Sequence, residues 1–176
     1  FHLRFGPIFE YIEQPCIELS DLKKLKAEIP MKIAVDESIR KSLDSDFSNL
    51  KECADIAILK WQPVGGIEKA ISLANEIGLP VVISSALETG IGLSHGLALA
   101  SALDVNLSCG LATATLLESD IVMEDLSIVN GEIEVLSRTP NQALIENYRA
   151  PEDRKIWWLE RIKRIINSGG FDEFLN

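Results

Sequence analysis

Five residues recur along the chain at nearly one interval: Glu13, Asp36, Lys60, Ser84 and Gly110, separated by 23, 24, 24 and 26 positions. Two acids, an amine, a hydroxyl and an open backbone make a set with chemical use. Hard cations such as Mg2+ take carboxylate oxygens from one or a few residues and complete their shell with water and substrate. A cation next to an amine suits chemistry at the carbon beside a carboxylate, because the metal stabilises the enediolate that forms while the amine takes or offers a proton. Alone, each residue has a plainer role. Asp36-Glu37-Ser38 could start a helix, a lysine at a strand end usually extends to water, and Ser84 and Ser85 could satisfy local backbone groups. Their common period and their common place after apolar runs favour the functional role for the set.

The elements that must position them follow from hydrophobic periodicity. Short β-branched runs at 8–13, 31–36, 55–60, 80–85 and 106–110 alternate with helical patterns, the sign of βα units and a parallel sheet. Chemistry collects at the carboxyl ends of such strands, where loops converge, and the recurring residues stand there. Counting back by two from Lys60, Asp36 and Glu13 gives Ile58, Ile56, Ala34, Tyr11 and Phe9, a set compatible with the interior face of a barrel. One helix is expected over Ile67, Ala70, Ile71, Ala74 and Ile77, ended by Gly78-Leu79-Pro80. Another is expected over Leu22, Leu25 and Ile29, with Ser20 as its N-cap. Asn130-Gly131 predicts a hairpin spanning 125–136. Pro151 begins a last helix with Ile156, Leu159, Ile162 and Ile166 on one stripe, and Trp157 and Trp158 are expected to pack in a core, with contact to a partner subunit as the alternative.

Composition bounds the function classes. The chain has 176 residues, 17 Lys+Arg against 27 Asp+Glu, and a net charge of −10. Such a balance argues against surfaces built for nucleic acid or anionic lipid, which need clustered cations. No apolar run approaches a bilayer span and Phe1-His2-Leu3-Arg4 has no signal-peptide layout, so a cytoplasmic protein is expected. Cys16, Cys53 and Cys109 are odd in number and lack a CxxC pair, which predicts reduced, mostly buried thiols. Five strands are too few for an eight-stranded barrel, which needs about 200 residues or more. The length therefore reads as part of a barrel, with a missing N-terminal segment expected in the full-length protein.

Tyr11-Ile12-Glu13-Gln14-Pro15, Val35-Asp36-Glu37-Ser38 and Ile58-Leu59-Lys60 resemble the fourth, fifth and sixth strands of the enolase-superfamily barrel. The likeness is to its muconate-lactonizing-enzyme subgroup and, within that, to the o-succinylbenzoate synthases. Lys60-Trp61-Gln62-Pro63-Val64-Gly65-Gly66, Ile83-Ser84-Ser85-Ala86-Leu87-Glu88-Thr89 and Cys109-Gly110-Leu111-Ala112-Thr113 extend it over about residues 5–120. The resemblance implies an α/β fold, a TIM-type (β/α) barrel represented by about strands 4 to 8, in residues 1–120. Residues 121–176 would be a hairpin and helix packing on the barrel and on a capping domain. It also implies Mg2+ held by Glu13 and Asp36, Glu37 as an acid behind them that orients the site, and Lys60 facing the reacting carbon. Ser84, Ser85 and Gly110 would line the pocket for a small carboxylate substrate. The implied reaction is dehydration of a succinyl-hydroxycyclohexadiene carboxylate to o-succinylbenzoate, a step of menaquinone biosynthesis. The family's Lys-x-Lys motif and its first metal-binding aspartate do not occur here, since no Asp or Lys precedes Glu13; both are expected on the missing segment with the cap. N-succinylamino acid racemase and muconate cycloisomerase share these strand-end residues, a Schiff-base aldolase would use the same lysine as nucleophile, and an inactive barrel fragment is the remaining alternative.

Overall fold

Strand β1 (Tyr11–Glu13) pairs in parallel with β2 (Lys32–Val35), β2 with β3 (Ile56–Leu59), and β3 with β4 (Val81–Ile83), so sheet order follows chain order. The computed structural model describes residues 8–41, 47, 50–124 and 126–168. Phe1 to Arg4 and Asp125, the first residue of the expected hairpin, lie outside the described residues, as does the Gly169-Gly170 pair expected beyond the last helix. Helix α1 (Leu19–Glu28) follows β1, the single turn α2 (Glu37–Arg40) follows β2, α3 (Ile67–Ile77) follows β3 and α4 (Gly90–Ala102) follows β4. This is the sequential βα winding that the period implies.

Both faces of the sheet are apolar, as helices on one side and a barrel interior on the other require. Ile33, Val35, Ala57, Leu59 and Ile83 join Leu22, Leu73, Ile77 and Leu93 of the helices in the larger core. Ala34, Ile56, Ile58 and Val82, with Tyr11 and Leu107 against them, form the second, inner cluster. The alternation therefore sorts the side chains as expected, except that Phe9 is 48% exposed. It precedes the paired part of β1, where no neighbouring strand fixes its direction.

Four expectations are corrected. Residues 106–110 form no strand: only a parallel bridge, Ser84 to Gly110, continues the sheet. Polar Asn106 and Ser108 are exposed, which leaves that segment little apolar surface with which to extend the ladder. The turn at Asn130-Gly131 forms with both residues at positive φ, 54° and 83°, but its ladder is the single bridge Val129 to Glu132. Val129 and Val135 beside it remain exposed, so no packed face drives longer pairing. Helix α1 takes Glu18, not Ser20, at its N-cap, because the extended backbone ends one residue before Leu19. Helices α5 (Gln142–Asn147) and α6 (Glu152–Asn167) are the last helices among the described residues, and every residue of α6 is exposed. Trp157 and Trp158 consequently do not sit in a core: their rings meet edge to face at 4.8 Å, with Arg154 5.3 Å above the Trp157 ring.

The α3 helix ends as expected, with Gly78 in the left-handed region at φ 58° and its N–H bonded to Ala74. Cys53 is buried, and Cys16 and Cys109 are half-buried. No helix among the described residues is long and apolar enough to cross a membrane.

Candidate active site

The parallel register brings the recurring residues to one end of the sheet. Glu13 is the last paired residue of β1, while Asp36, Lys60 and Ser84 each stand one step past the end of β2, β3 and β4. Gly110 lies beside Ser84 through the bridge, with its N–H on Ile83 O at 2.9 Å and its carbonyl accepting from Ser85 N at 3.0 Å. All five expected positions thus share one edge of the fold.

Asp36 occupies the N-cap position of α2, yet its side chain makes no capping bond. It turns to the next strand instead: Lys60 Nζ donates to Asp36 Oδ2 at 2.6 Å. The Asp36 side chain is 3% exposed and that of Lys60 20%, so this is a largely desolvated pair. Arg40 Nε lies 3.4 Å from Asp36 Oδ1 and also pairs with Glu37, one helical turn along. Burial pushes the Glu37 carboxyl up, but the Arg40 hydrogen bond, Glu37's own N–H and the Arg40 and Lys60 charges together leave it below the usual carboxylate range. Glu13 goes the other way: burial and the negative charge of Asp36 raise it, only partly offset by Lys60. Two carboxylates that repel each other beside one amine form an oxygen-only donor pair for a hard cation. Among the described residues no third acid, histidine or cysteine joins them. As oxygen donors, Glu13 and Asp36 would suit Mg2+ as two protein ligands, with other shell positions left for substrate and water.

Gln14 is the brace of this corner, and sequence reading assigned it no role. Its Oε1 accepts from the backbone N–H of Asp36 at 3.0 Å and of Ser38 at 3.2 Å, while its Nε2 donates to Ser38 Oγ at 2.7 Å and Cys16 O at 2.8 Å. Both donors and both lone pairs of the amide are used. Its backbone sits in the left-handed region at φ 41°, the kind of local strain that surrounding contacts must hold. Arg40 was missed too, although its i+4 spacing from Asp36 is a legible signal.

The second corner carries the serines. Ser84 Oγ is 3.5 Å from Gly110 O, a long contact that leaves its hydroxyl available. A Cβ on Gly110 would stand 2.6 Å from Ser84 Oγ, so only glycine allows this approach. Ser85 is buried, and its hydroxyl is already bonded to Glu88, which is buried as well. Thr113 Oγ1 donates to Ser85 Oγ at 2.7 Å. Glu88 and Thr113 were not singled out from sequence, though Ser85-Ala86-Leu87-Glu88 has the S-x-x-E spacing of a reciprocal cap. A groove of about 690 Å³ is lined by Gln14, Glu37, Ser38 and Lys41, and an apolar pocket of about 440 Å³ behind α4 by Leu97, Cys109 and Ile133. Glu13, Asp36 and Lys60 line neither of these two cavities.

Comparison with known proteins agrees with this arrangement. Residues 4–140 match the family model described as enolase C-terminal domain-like. The o-succinylbenzoate synthase of Mycobacterium tuberculosis is 41% identical over 158 residues, 90% of this chain and 48% of that protein. The chain thus spans about half the length of the curated relatives it matches. Among solved structures, the N-succinyl Arg/Lys racemase from Bacillus cereus superposes with a TM-score of 0.71 at 22% identity, over 82% of this chain and 42% of that one. The muconate lactonizing enzyme from Pseudomonas fluorescens gives 0.70 at 23%, over 82% and 42%; at such identities these two establish the fold alone. A parallel βα sheet with acids and a lysine at its carboxyl edge, together with the family match, shows that the chain belongs to the enolase C-terminal domain-like family and forms part of its TIM-type barrel.

Proposed function

We propose that this chain is part of a Mg2+-dependent o-succinylbenzoate synthase, a cytoplasmic lyase that dehydrates a succinyl-hydroxycyclohexadiene carboxylate to o-succinylbenzoate for menaquinone biosynthesis. The observation that carries the reading is Lys60 held 2.6 Å from Asp36, with Glu13 close enough for its carboxyl to be raised by the Asp36 charge. Relatives 41% identical to the chain and named o-succinylbenzoate synthase support the choice of substrate.

Glu13 and Asp36 hold the cation in this proposal. When bound, Mg2+ supplies Lewis-acid neutralisation of the negative charge that builds on the substrate carboxylate. Lys60 places its ammonium toward the reacting carbon and stabilises developing charge there, and its contact with Asp36 keeps the long side chain in one position. Glu37 and Arg40 orient the Asp36 carboxylate from behind. Ser84 lines the succinyl end with its hydroxyl, Ser85 through the turn it holds, and Gly110 by letting backbone and ligand approach closely. The first metal ligand and the Lys-x-Lys proton-transfer group come from the missing N-terminal segment with the cap, against which residues 121–176 pack. Aromatisation drives the loss of water; the protein has to lower the barrier to charge build-up.

Product analysis of the full-length protein tests this. Incubation with the cyclohexadiene carboxylate should give o-succinylbenzoate, cease with chelator and resume with Mg2+. Racemisation of N-succinylamino acids without aromatic product would overturn the assignment of substrate. A borohydride-trapped adduct on Lys60, insensitive to chelator, would overturn the metal reading.

A further inference from the structure

Glu88 is a buried carboxylate, 6% exposed, at the carboxyl end of the sheet, and nothing in the proposed chemistry uses it. Among the described residues it has no cationic partner. A desolvated acid without a cation is costly unless hydrogen bonds replace the water it has lost. They come from its own turn: Ala86 N–H lies 3.0 Å from both carboxylate oxygens, and the Ser85 hydroxyl donates to Oε2.

A serine hydroxyl has one proton and two lone pairs. The proton of Ser85 goes to Glu88, which leaves Ser85 Oγ as an acceptor twice. Leu87 N–H fills one position at 2.8 Å and Thr113 Oγ1 the other at 2.7 Å, while the Glu88 N–H reaches the same oxygen only at a long 3.5 Å. The direction of the whole chain of bonds is therefore set by the acceptor-only carboxylate at its end. Leu87 is held at φ 70°, a conformation a leucine avoids unless its surroundings impose it. Gly92 completes the fit, since a Cβ there would lie 2.4 Å from Glu88 Cβ. Thr113 belongs to the loop that follows Gly110, so the network joins the loop after β4 to the loop that carries Gly110.

We infer that Glu88 is a positioning residue which, through Ser85 and Thr113, locks together the two loops that present Ser84 and Gly110 to the succinyl end of the substrate. The inference rests on the synthase reading for its substrate and on the hydrogen bonds alone for its mechanics. Replacing Glu88 by glutamine puts an amide NH2 where only acceptors fit. If the NH2 faces Ser85 it adds a donor to an oxygen whose lone pairs are already filled, and the bonds through Ser85 to Thr113 lose their fixed direction; if it faces away it opposes the Ala86 N–H and the turn loses a bond.

The test uses the full-length protein with Glu88→Gln, Thr113→Val and Thr113→Ser. Steady-state kinetics with the cyclohexadiene carboxylate should show KM raised about tenfold in the first two variants with kcat within about threefold, the mark of lost binding and not lost chemistry. Thr113→Ser, which restores the hydroxyl, should return KM to the wild-type value; a merely structural role for the threonine methyl would not be rescued this way. Amide hydrogen exchange at Ala86 and Leu87 should quicken at least about tenfold in Glu88→Gln. Unchanged KM in Thr113→Val, or a valine-like Thr113→Ser, overturns the inference, and so does equal exchange in wild type and Glu88→Gln. If Glu88→Gln does not fold, Thr113→Val decides by the same readouts. Quickened exchange in a protein whose wild type makes no o-succinylbenzoate supports the latch and overturns the substrate.

Discussion

Lys60 Nζ and Asp36 Oδ2 lie 2.6 Å apart although their strand ends are 24 residues distant in sequence, and Asp36 forgoes its helix-capping bond to make this contact. An acid at a helix start would ordinarily bond the first turn's N–H groups. Here the side chain meets the lysine that follows the neighbouring strand, so Asp36 does not fill the plainer role of a helix cap.

Asp36→Asn and Lys60→Ala are each expected to lower turnover of the full-length enzyme by about 10²–10⁴-fold, the range for loss of a positioned charged or proton-transferring group. The fold should survive both, because Arg40 still faces Asp36 when Lys60 is gone. Initial rates and circular dichroism melts measure the two effects separately, and a variant with near wild-type rate would remove that residue from the site.

Gln14 offers a cleaner separation of strain from hydrogen bonding. Its amide satisfies two backbone N–H groups, and orphaning such groups costs about 1–3 kcal/mol each when they are shielded from water. Gln14→Gly deletes the amide but tolerates φ 41°, whereas Gln14→Ala deletes the amide and keeps the strain. Urea titration should find the alanine variant less stable by about 0.5–1 kcal/mol than the glycine variant. Both should exchange the Asp36 amide proton faster than wild type does.

The parts of the site that sequence makes legible are those fixed by backbone winding. Alternation along β2 and β3 sends Ala34, Ile56 and Ile58 to one side, and so Asp36 and Lys60 emerge on a common edge. Gln14, Glu88 and Thr113 depend instead on side-chain bonds between loops, such as Thr113 to Ser85 across 28 positions, which no periodicity encodes. The misplaced tryptophans have a related cause. A stripe such as that of α6 shows that a helix has an apolar face; it does not say which surface meets that face.

At the opposite end of the sheet the chemistry is structural. Asp55 Oδ2 accepts from Ile33 N at 3.0 Å and Asp55 pairs with Lys26 at 2.8 Å, pinning the start of β2 to the start of β3. Burial raises the Asp55 carboxyl, but its bonds to Lys26 and the Ile33 N–H outweigh this and leave it below the ordinary aspartate value. A carboxyl depressed in the folded state contributes its full stabilisation above the unfolded value, about 3.9, and loses it as pH falls through the lower folded one. Asp55→Asn should therefore flatten the acid limb of the stability profile below about pH 4 and cost about 1 kcal/mol at neutral pH, the pair being partly solvated. Denaturant melts from pH 2.5 to 7 would show it; an acid limb unchanged from wild type would exclude Asp55 as its source.

Gly110→Ala tests the close approach at the substrate end. The added Cβ would meet Ser84 Oγ at 2.6 Å, Ser84 Cβ at 3.2 Å and Ser84 Cα at 3.5 Å. Rotation of Ser84 relieves the first contact but not the second, so the strand ends must separate by a few tenths of an ångström. Gly110 is exposed and outside the left-handed region, which leaves the cost to this contact alone and within the roughly 1–3 kcal/mol typical of overpacking. KM should rise more than kcat falls, because the pocket changes shape while Lys60 and Asp36 are untouched. Adding Ser84→Gly removes Oγ and Cβ alike, and the double variant should regain part of the lost stability without regaining KM, since the hydroxyl offered to the substrate is gone. A double-mutant cycle on melting temperature and KM measures both terms. Strict additivity in stability would mean that Gly110 and Ser84 do not touch in solution.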